Sequence, residues 1–192
     1  GQFEMLVLDA ARAHYEKQSC GVEHYVLGAD ADQCCGGTMD VFFEFHGSRQ
    51  RLVIFGAGHV SLALAELMLA SPVEVVVVDD RPEWNSAERF GGCRRIGSWD
   101  AGVDAAHADR ARTLACVMTC SHDTDFEILS KLLKSPPAFM GLIGSRSKRA
   151  CLFGRLVASG ADETAVQKVQ CPIGVGDTGK APRLVAISMA AQ

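Results

Sequence analysis

Hydrophobic residues follow a repeating pattern along most of the chain, in which short apolar runs alternate with longer amphipathic stretches. The repeat begins near residue 51 and continues to the end of the sequence. Apolar runs of this length are typical of buried strands, and the amphipathic stretches have the spacing of helices. Because strands that alternate with helices are joined by crossover connections, the pattern predicts a mostly parallel sheet. Such crossovers are right-handed almost without exception, so we expect helices on both faces of an open α/β sheet.

Four strands and four helices are predicted in this part of the chain. The strands cover residues 51–55, 73–78, 112–120 and 138–144. The helices cover residues 58–70, 123–134 and 145–159, and a last helix closes the chain after a loop that starts at residue 179.

The first 48 residues have a different pattern. Residues 3–17 carry apolar side chains at helical spacing, and residues 22–27 and 39–45 are predicted strands. One helix and two strands cannot bury both faces of a sheet, and a segment this short is too small for an independent domain. We therefore predict a partial smaller α/β domain at 1–48 and a larger domain at 49–192. We also expect that the chain begins inside a larger unit.

The composition excludes several classes of protein. The 192 residues are 48% hydrophobic and 22% charged, which is typical of a globular protein with a substantial core. The net charge of −4 gives no reason to expect a surface for nucleic acid or for membranes. No apolar run approaches the roughly 20 residues that span a bilayer. We therefore expect neither a nucleic-acid partner nor a membrane.

Eight cysteines are a high number for a chain of this length. They are scattered, without a C-x-x-C pair or a paired zinc spacing. Cys116 and Cys120 lie in an apolar run, where a free cysteine behaves as a small buried hydrophobe. The pattern favours reduced thiols in a cytoplasmic protein over a framework of disulfides.

A glycine-rich turn follows the first predicted strand of the larger domain, in the segment LVIFGAGHVSLALAEL. Gly56 permits a tight turn, and Gly58 lets a phosphate approach the backbone at the start of a helix. Asp79 closes the next strand roughly 20 residues later, where an acidic side chain binds a ribose hydroxyl in dinucleotide-binding domains. Ser61 occupies the place of the third glycine of that fingerprint. The segment predicts a Rossmann-like fold.

The residues alone do not decide which ligand, if any, this turn binds. One alternative is NAD(P), and a second is a different nucleotide. A third is a turn that keeps its glycines for the fold and binds nothing. His59, between the glycines and the helix, lies either near a phosphate or on the surface.

Polar residues also cluster at the end of a later predicted strand, in the segment TCSHDTDFEIL. Open α/β sheets bind ligands at this edge. Ser121 or Asp123 also suits the N-cap of the following helix. Because capping leaves His122 and Asp125 without a role, we favour a functional site here, with His122 and Asp123 as binding residues.

Cations open the helix after the last predicted strand, in the segment GLIGSRSKRA. Cationic side chains at a helix N-terminus are unfavourable because they oppose the helix dipole. A bound anion would relieve that conflict, and phosphate is the natural candidate, with Ser145 and Lys148 as its contacts. The alternative is a solvated basic face of the helix.

Two segments place a cysteine beside flexible backbone. In QCCGGT, Cys34 and Cys35 run into Gly36 and Gly37, and in CPIGVGDTGK, Cys171 precedes a proline and several glycines. Adjacent cysteines pair poorly with each other, and glycine after a thiol lets a ligand approach the backbone. Both segments therefore predict a presented thiol.

Eight blocks of the sequence, taken in order, carry a family resemblance. They are CGGTMDVFFE, LVIFGAGHVSLALAEL, VVVVDDRPEW, ERF, TCSHDTDFEIL, GLIGSRSKRA, CPIG and the closing segment that begins with GKAP. Together they resemble the XdhC/CoxI family of xanthine dehydrogenase accessory proteins over nearly the whole chain. The resemblance implies a chaperone rather than an enzyme, which binds the molybdenum cofactor (molybdopterin) as cargo. It also implies three partners: a cysteine desulfurase that supplies the terminal sulfur, a xanthine dehydrogenase-type molybdenum hydroxylase that receives the cofactor, and further copies of the chain in a homo-oligomer.

The same resemblance identifies Cys35 as the cysteine before the double glycine, a partner for the molybdenum centre or its surroundings. Thiolate sulfur suits a sulfur-rich metal centre, and the two glycines would give a bulky cofactor access. The predicted cofactor-binding residues are then Cys35, Gly36, Gly37, Gly56, Gly58, His59, Asp79, His122, Asp123, Ser145 and Lys148.

Two other functions compete with the chaperone. The first is an NAD(P)-dependent oxidoreductase, in which His122 would be the proton donor. The second is a nucleotide-sensing module that uses the Rossmann-like domain alone. The thiol–glycine block outside that domain separates the three, because it has a role only in the chaperone.

Overall fold

The computed structural model describes residues 1–30, 37–45, 50–176 and 178–192. The chain divides into two compact units, Gly1–Ser48 and Arg49–Gln192. Assignment of the first unit to a partial domain of the XdhC/CoxI type stays a prediction.

The smaller unit is a helix followed by an antiparallel hairpin. Its elements are α1 (Gln2–Lys17), β1 (Gly21–Val26), α2 (Leu27–Asp30) and β2 (Thr38–Phe43). The strands pair from Gly21 opposite Phe43 to Val26 opposite Thr38. Two predicted strand ends were wrong, because Leu27 begins α2 and β2 ends at Phe43 rather than at residue 45.

Aromatic contacts attach α1 to the hairpin. Phe3 meets the ring of Tyr25 edge-on, with 5.4 Å between ring centroids, and His14 stacks on Phe43 at 4.9 Å. No side chain of α1 is fully buried. The core of the smaller unit is small because one helix packed on a two-stranded sheet buries few side chains.

The larger unit contains a five-stranded sheet in the order β5-β4-β3-β6-β7, with every neighbouring pair parallel. The strands are β3 (Gln50–Phe55), β4 (Val73–Val78), β5 (Arg94–Ile96), β6 (Thr113–Val117) and β7 (Phe139–Leu142). The helices are α3 (His59–Met68), α4 (Ala87–Phe90), α5 (Trp99–Ala108), α6 (His122–Leu132), α7 (Arg146–Ala158), α8 (Glu163–Gln167) and α9 (Pro182–Ala190), with a 3-10 turn at Arg110–Arg112. The predicted α/β class and Rossmann-like architecture are confirmed. The sequence pattern missed β5, α4, α5 and α8.

Both faces of this sheet are covered, as predicted. In β3, Val53 and Phe55 belong to a core cluster shared with α5, α6 and α7. Their neighbours Leu52 and Ile54 belong to a second cluster shared with α3, α4 and α9. Successive side chains of a strand point to opposite faces, so a strand covered by helices on both sides reads as one continuous apolar run.

The chain changes direction across the sheet between β3 and β6. It runs outward from β3 to β4 and β5, and then returns to place β6 and β7 on the other side of β3. The loops after β3 and β6 therefore diverge from adjacent strand ends. Open α/β sheets bind ligands in the crevice at such a point, beyond the carboxyl ends of the strands.

Within the described ranges, no helix has both the length and the apolar character needed to cross a bilayer.

Candidate functional site

The glycine turn after β3 lies against the backbone that follows β6. Gly56 has a φ of 105°, and a Cβ placed there would lie 2.6 Å from the carbonyl oxygen of Met118. Glycine is therefore required at this position by both its backbone conformation and its close contact. Gly58, two residues on, has no atom within 4 Å of an added Cβ, so the turn is open on that side.

Helix α3 begins at this open side without a side-chain cap. Gly58 is the N-cap residue and His59, the first residue of the helix, is exposed. The first amides of a helix have no partner within the helix, and together with the helix dipole they favour a bound anion. The structure places Gly56, Gly58 and His59 together at the carboxyl edge of the sheet, where a phosphate could bind.

The Asp79 carboxylate ties the glycine turn to the end of β4. It is only 1% exposed, and it accepts hydrogen bonds from the backbone N–H of Ala57 at 2.7 Å and of Arg81 at 3.0 Å. The Arg81 guanidinium donates two more, at 2.8 and 2.7 Å. Burial by itself would raise the pKa of Asp79, but the hydrogen bonds from Arg81 and Ala57 outweigh it and lower the pKa. A contact between Asp79 and a ribose stays a prediction.

Ser61 stands where the dinucleotide fingerprint has its third glycine. Its side chain is 1% exposed, and in the described part of the chain its hydroxyl has no hydrogen-bond partner. The third glycine of that fingerprint permits close packing of helix on strand. Here a small polar side chain fills the position instead.

The end of β6 holds a hydrogen-bonded corner built on Asp125. The side chain of Asp125 is fully buried, and it accepts from the backbone N–H of Thr119 at 3.1 Å and from its hydroxyl at 2.7 Å. Ser121 caps α6 by accepting from the backbone N–H of Thr124. Asp125 therefore has a structural role, as the acceptor of the two hydrogen bonds from Thr119, which was not predicted from the sequence.

His122 and Asp123 face away from this corner into solvent, since both are exposed. The Asp123 carboxylate pairs with Arg155 of α7 at 2.6 Å. The guanidinium of Arg155 in turn lies 4.1 Å from the ring centroid of Phe126. Their predicted contacts with a cofactor stay predictions.

Lys148 joins the end of β7 to the same corner. Its ammonium group donates to Asp125 at 2.6 Å and to the carbonyl oxygen of Ile143 at 3.0 Å, and its side chain is 12% exposed. Ser145 is exposed and caps α7 by accepting from the backbone N–H of Lys148. The conflict between Lys148 and the helix dipole is therefore relieved by a carboxylate of the protein. Binding of an anion by Ser145 and Lys148 stays a prediction, but the unfavourable charge of Lys148 at the helix start no longer supports it.

Two expectations about cysteines were wrong. Cys120 is exposed rather than buried, because it lies beyond the end of β6, whereas Cys116 inside the strand is buried as expected. Cys171 is buried rather than presented, since residues 170–173 run alongside β7, where Ile173 donates to the carbonyl of Leu142. Burial raises the pKa of both buried thiols, to about 12 for Cys116.

The thiol–glycine block lies mostly outside the described residues. Cys34, Cys35 and Gly36 fall there, so their proposed roles stay predictions. Gly37 is exposed, and its carbonyl accepts from the backbone N–H of Leu27 at 2.8 Å. Among the residues that the structure describes, no group of three or more His, Cys, Asp or Glu is placed to hold a metal ion.

A cleft beside the first turn of α3 was not found from the sequence. Its volume is about 580 Å³, and it is lined by His59, Leu62, Glu83, Trp84 and Arg89. We call it the tryptophan cleft. The signal for it was present in the block VVVVDDRPEW, which contributed to the resemblance but received no role of its own.

Residues 52–192 match the family model of the XdhC Rossmann domain. The chain is 32% identical over 166 residues to the uncharacterized protein YqeB of Escherichia coli strain K12, an alignment that covers 86% of this chain. The chain spans only 31% of the length of that relative.

A solved structure shares the fold. A crystal structure of a xanthine dehydrogenase from Bacillus halodurans superposes with a TM-score of 0.65 and 23% sequence identity. The match covers 80% of this chain and 45% of that one. At this level of identity, the similarity shows a common architecture.

Proposed function

The chain belongs to the XdhC family, and on that premise we propose that it is an accessory protein of a xanthine dehydrogenase-type molybdenum hydroxylase. In this proposal the protein carries the molybdenum cofactor as cargo and catalyses no reaction itself. It holds the cofactor while a cysteine desulfurase supplies the terminal sulfur, and it then transfers the cofactor to the hydroxylase. Cys35 and its two glycines are proposed contacts of the metal end of the cargo.

The observation that supports a phosphorylated cargo is the uncapped start of α3 at the crevice between β3 and β6. Molybdopterin is a pterin that ends in a phosphate group. The amides of the first turn of α3 suit such a phosphate, and the open side of Gly58 leaves it room. The residues present therefore fit the phosphate end of the cargo.

A dinucleotide is the second candidate for this crevice. It would place a ribose against Asp79, which is the recognition that dinucleotide-binding domains use. In this chain the carboxylate already accepts hydrogen bonds from Ala57 and Arg81 and is almost completely buried. The geometry therefore favours a ligand that needs the phosphate site without the ribose contact.

The test is a substitution that blocks the start of α3 with a carboxylate. Gly58→Asp would cap the first amides and repel a phosphate, so bound pterin per protein should fall about tenfold, the equivalent of one lost charge-assisted hydrogen bond. Bound pterin is measured by fluorescence after acid release and oxidation, on protein purified from cells that make the cofactor.

Ser98→Asp is the matched control. Ser98 is the exposed N-cap residue of α5, where aspartate is also a good cap, so this variant adds the same charge to another helix start. It should retain pterin like the wild type. If Gly58→Asp also retains wild-type amounts, or if no pterin is found on the wild type, the proposal is wrong.

A further inference from the structure

The tryptophan cleft has a wall that is fixed in place. The guanidinium carbons of Arg89 and Arg81 lie 4.7 and 5.2 Å from the ring centroid of Trp84. Arg89 is held by a hydrogen bond to the carbonyl oxygen of Trp84 at 2.8 Å, and Arg81 is held by the carboxylate of Asp79. Because each arginine is anchored, the half-buried indole is restrained before any ligand arrives. Such preorganisation lowers the entropy cost of binding.

The other walls suit a planar ring. The imidazole of His59 meets Trp84 edge-on, with 5.7 Å between centroids and 82° between ring planes. Leu62, one turn further along α3, is half-buried and supplies apolar surface. The cleft is largely open to solvent and has a volume of about 580 Å³, so a planar ring would lie against its aromatic and apolar wall with one edge at its polar groups.

Glu83 is the polar group that selects among planar rings. It lines the cleft and is exposed, and in the described part of the chain no hydrogen bond or ion pair to it is found. An ionised carboxylate only accepts hydrogen bonds, through two oxygens side by side. It therefore complements a ring edge with two adjacent N–H donors. A 2-amino-4-oxopyrimidine ring has such an edge, whereas adenine alternates a donor with an acceptor.

We propose that the tryptophan cleft binds the 2-amino-4-oxopyrimidine ring of a phosphorylated ligand, with Glu83 accepting from its paired N–H groups and Trp84 packing against the ring. This chemistry is shared by pterins and guanine. The proposal rests on the proposed function for the choice of a pterin, and it names the residues that recognise the ring. The cleft adjoins the first turn of α3, so ring and phosphate of one ligand can be bound together.

The experiment compares three ligands by isothermal titration calorimetry. A pterin monophosphate, GMP and AMP each carry one phosphate but differ in the donor pattern of the ring edge. The wild type should bind the pterin monophosphate and GMP at least about tenfold more tightly than AMP, because AMP leaves the Glu83 carboxylate with one unmatched acceptor contact.

Two variants assign that preference to the cleft. Glu83→Gln keeps the size of the side chain but replaces one acceptor oxygen by a donor, so it should abolish the preference over AMP. Trp84→Ala should weaken all three ligands, because apolar contact with the indole does not depend on the donor pattern of the ring edge. Glu88→Gln is the matched control, since Glu88 is an exposed carboxylate on α4 that does not line the cleft, and it should leave all three affinities unchanged.

The outcomes separate this inference from the function it rests on. If GMP binds with the expected preference but the pterin monophosphate does not, the cleft is assigned correctly and the proposed cargo is wrong. If the pterin monophosphate binds but Glu83→Gln keeps the preference over AMP, the assignment of the cleft is wrong while the cargo stands. Equal binding of AMP and GMP by the wild type, or no binding of any ligand, also overturns the inference.

Discussion

The loops after β3 and after β6 leave adjacent strands at the same edge of the sheet, yet one is open and the other is closed. After β3, there is open space beside Gly58, and no side chain caps the first turn of α3. After β6, the carboxylate of Asp125 is surrounded by Thr119 and Lys148 and is fully buried. Both loops carry residues that suggest a bound ligand, but the start of α3 has no side-chain cap, whereas the start of α6 is capped by Ser121.

The difference shows that a charged segment near a helix start has two ways to be neutralised. A ligand can supply the counter-charge, or another loop of the chain can. For Lys148 the counter-charge comes from Asp125, which is 23 residues earlier in the chain and on a different helix. A motif by itself does not distinguish these cases, because the deciding group lies elsewhere in the sequence.

The largest expected effect on stability comes from removing the carboxylate of the buried corner after β6. Asp125→Ala would leave the ammonium group of Lys148 mostly buried without its carboxylate, which costs about 3–5 kcal/mol of stability when one member of a buried pair is removed. The measurement is the free energy of unfolding in urea at neutral pH.

Asp123→Ala is the control for that loss. It removes an exposed carboxylate from the same helix, where the pair with Arg155 is in water, so the cost should stay below about 1 kcal/mol. Similar losses for the two variants would contradict the distinction between a closed corner and a solvent-exposed pair.

The next effect separates the two glycines of the open turn. Gly56→Ala puts a Cβ on a residue with a φ of 105°, 2.6 Å from a backbone oxygen, and should cost roughly 2–4 kcal/mol. Gly58→Ala meets no atom within 4 Å and should cost less than about 1 kcal/mol. Thermal unfolding of the two variants side by side measures the difference. An equal loss at both positions would show that the turn is not open at Gly58.

The smallest of these effects concerns Asp79, which joins the open turn to β4. Asp79→Asn should lower stability at pH 7 by about 2 kcal/mol, because one acceptor oxygen becomes an NH2 group that faces N–H donors and the remaining hydrogen bonds lose the charge of their acceptor. The folded pKa of Asp79 lies below its ordinary value of 3.8, so its contribution is fully present above that value. The contribution is lost as the pH falls through the folded pKa.

The measurement for Asp79 is unfolding free energy as a function of pH. The gap between wild type and Asp79→Asn should be constant from pH 7 to about 5 and should narrow below about 4. Asp80→Asn, at the exposed neighbouring carboxylate, serves as the control and should show a small gap at every pH. A gap for Asp79→Asn that widens in acid would reverse the expected sign.

The sheet was predicted well where its strands are buried on both faces, and less well at its margin. Strands β3, β4 and β6 each contain an apolar run of four residues, which can be recognised without any tertiary contact. Strand β5 has three residues, two of them exposed, so it has no apolar run. Helix α5 has Gly102 packed against Val78 and Phe55, and a helix that packs closely through glycine and alanine has a weak amphipathic pattern.

The candidate site divides in the same way. The glycine turn could be predicted because its function depends on backbone that Gly56 and Gly58 set locally. The tryptophan cleft could not, because His59 and Trp84 are 25 residues apart and meet only when α3 packs beside the loop after β4. Cys120 and Cys171 exchanged their expected exposures for a similar reason, since burial depends on which strand ends and which segments lie alongside the sheet.

By itself, the sequence determined the parallel α/β sheet, the position of the glycine turn at its carboxyl edge and the resemblance to the XdhC/CoxI family. These follow from side-chain periodicity, backbone freedom and short blocks, all of which act between residues close in the chain. Only the tertiary structure decided that Asp79 binds Ala57 and Arg81, that Asp125 neutralises Lys148, and that Trp84 forms a wall of a cleft. The physical reason is that burial and electrostatic pairing are set by neighbours in space, and those neighbours come from separate segments of the chain.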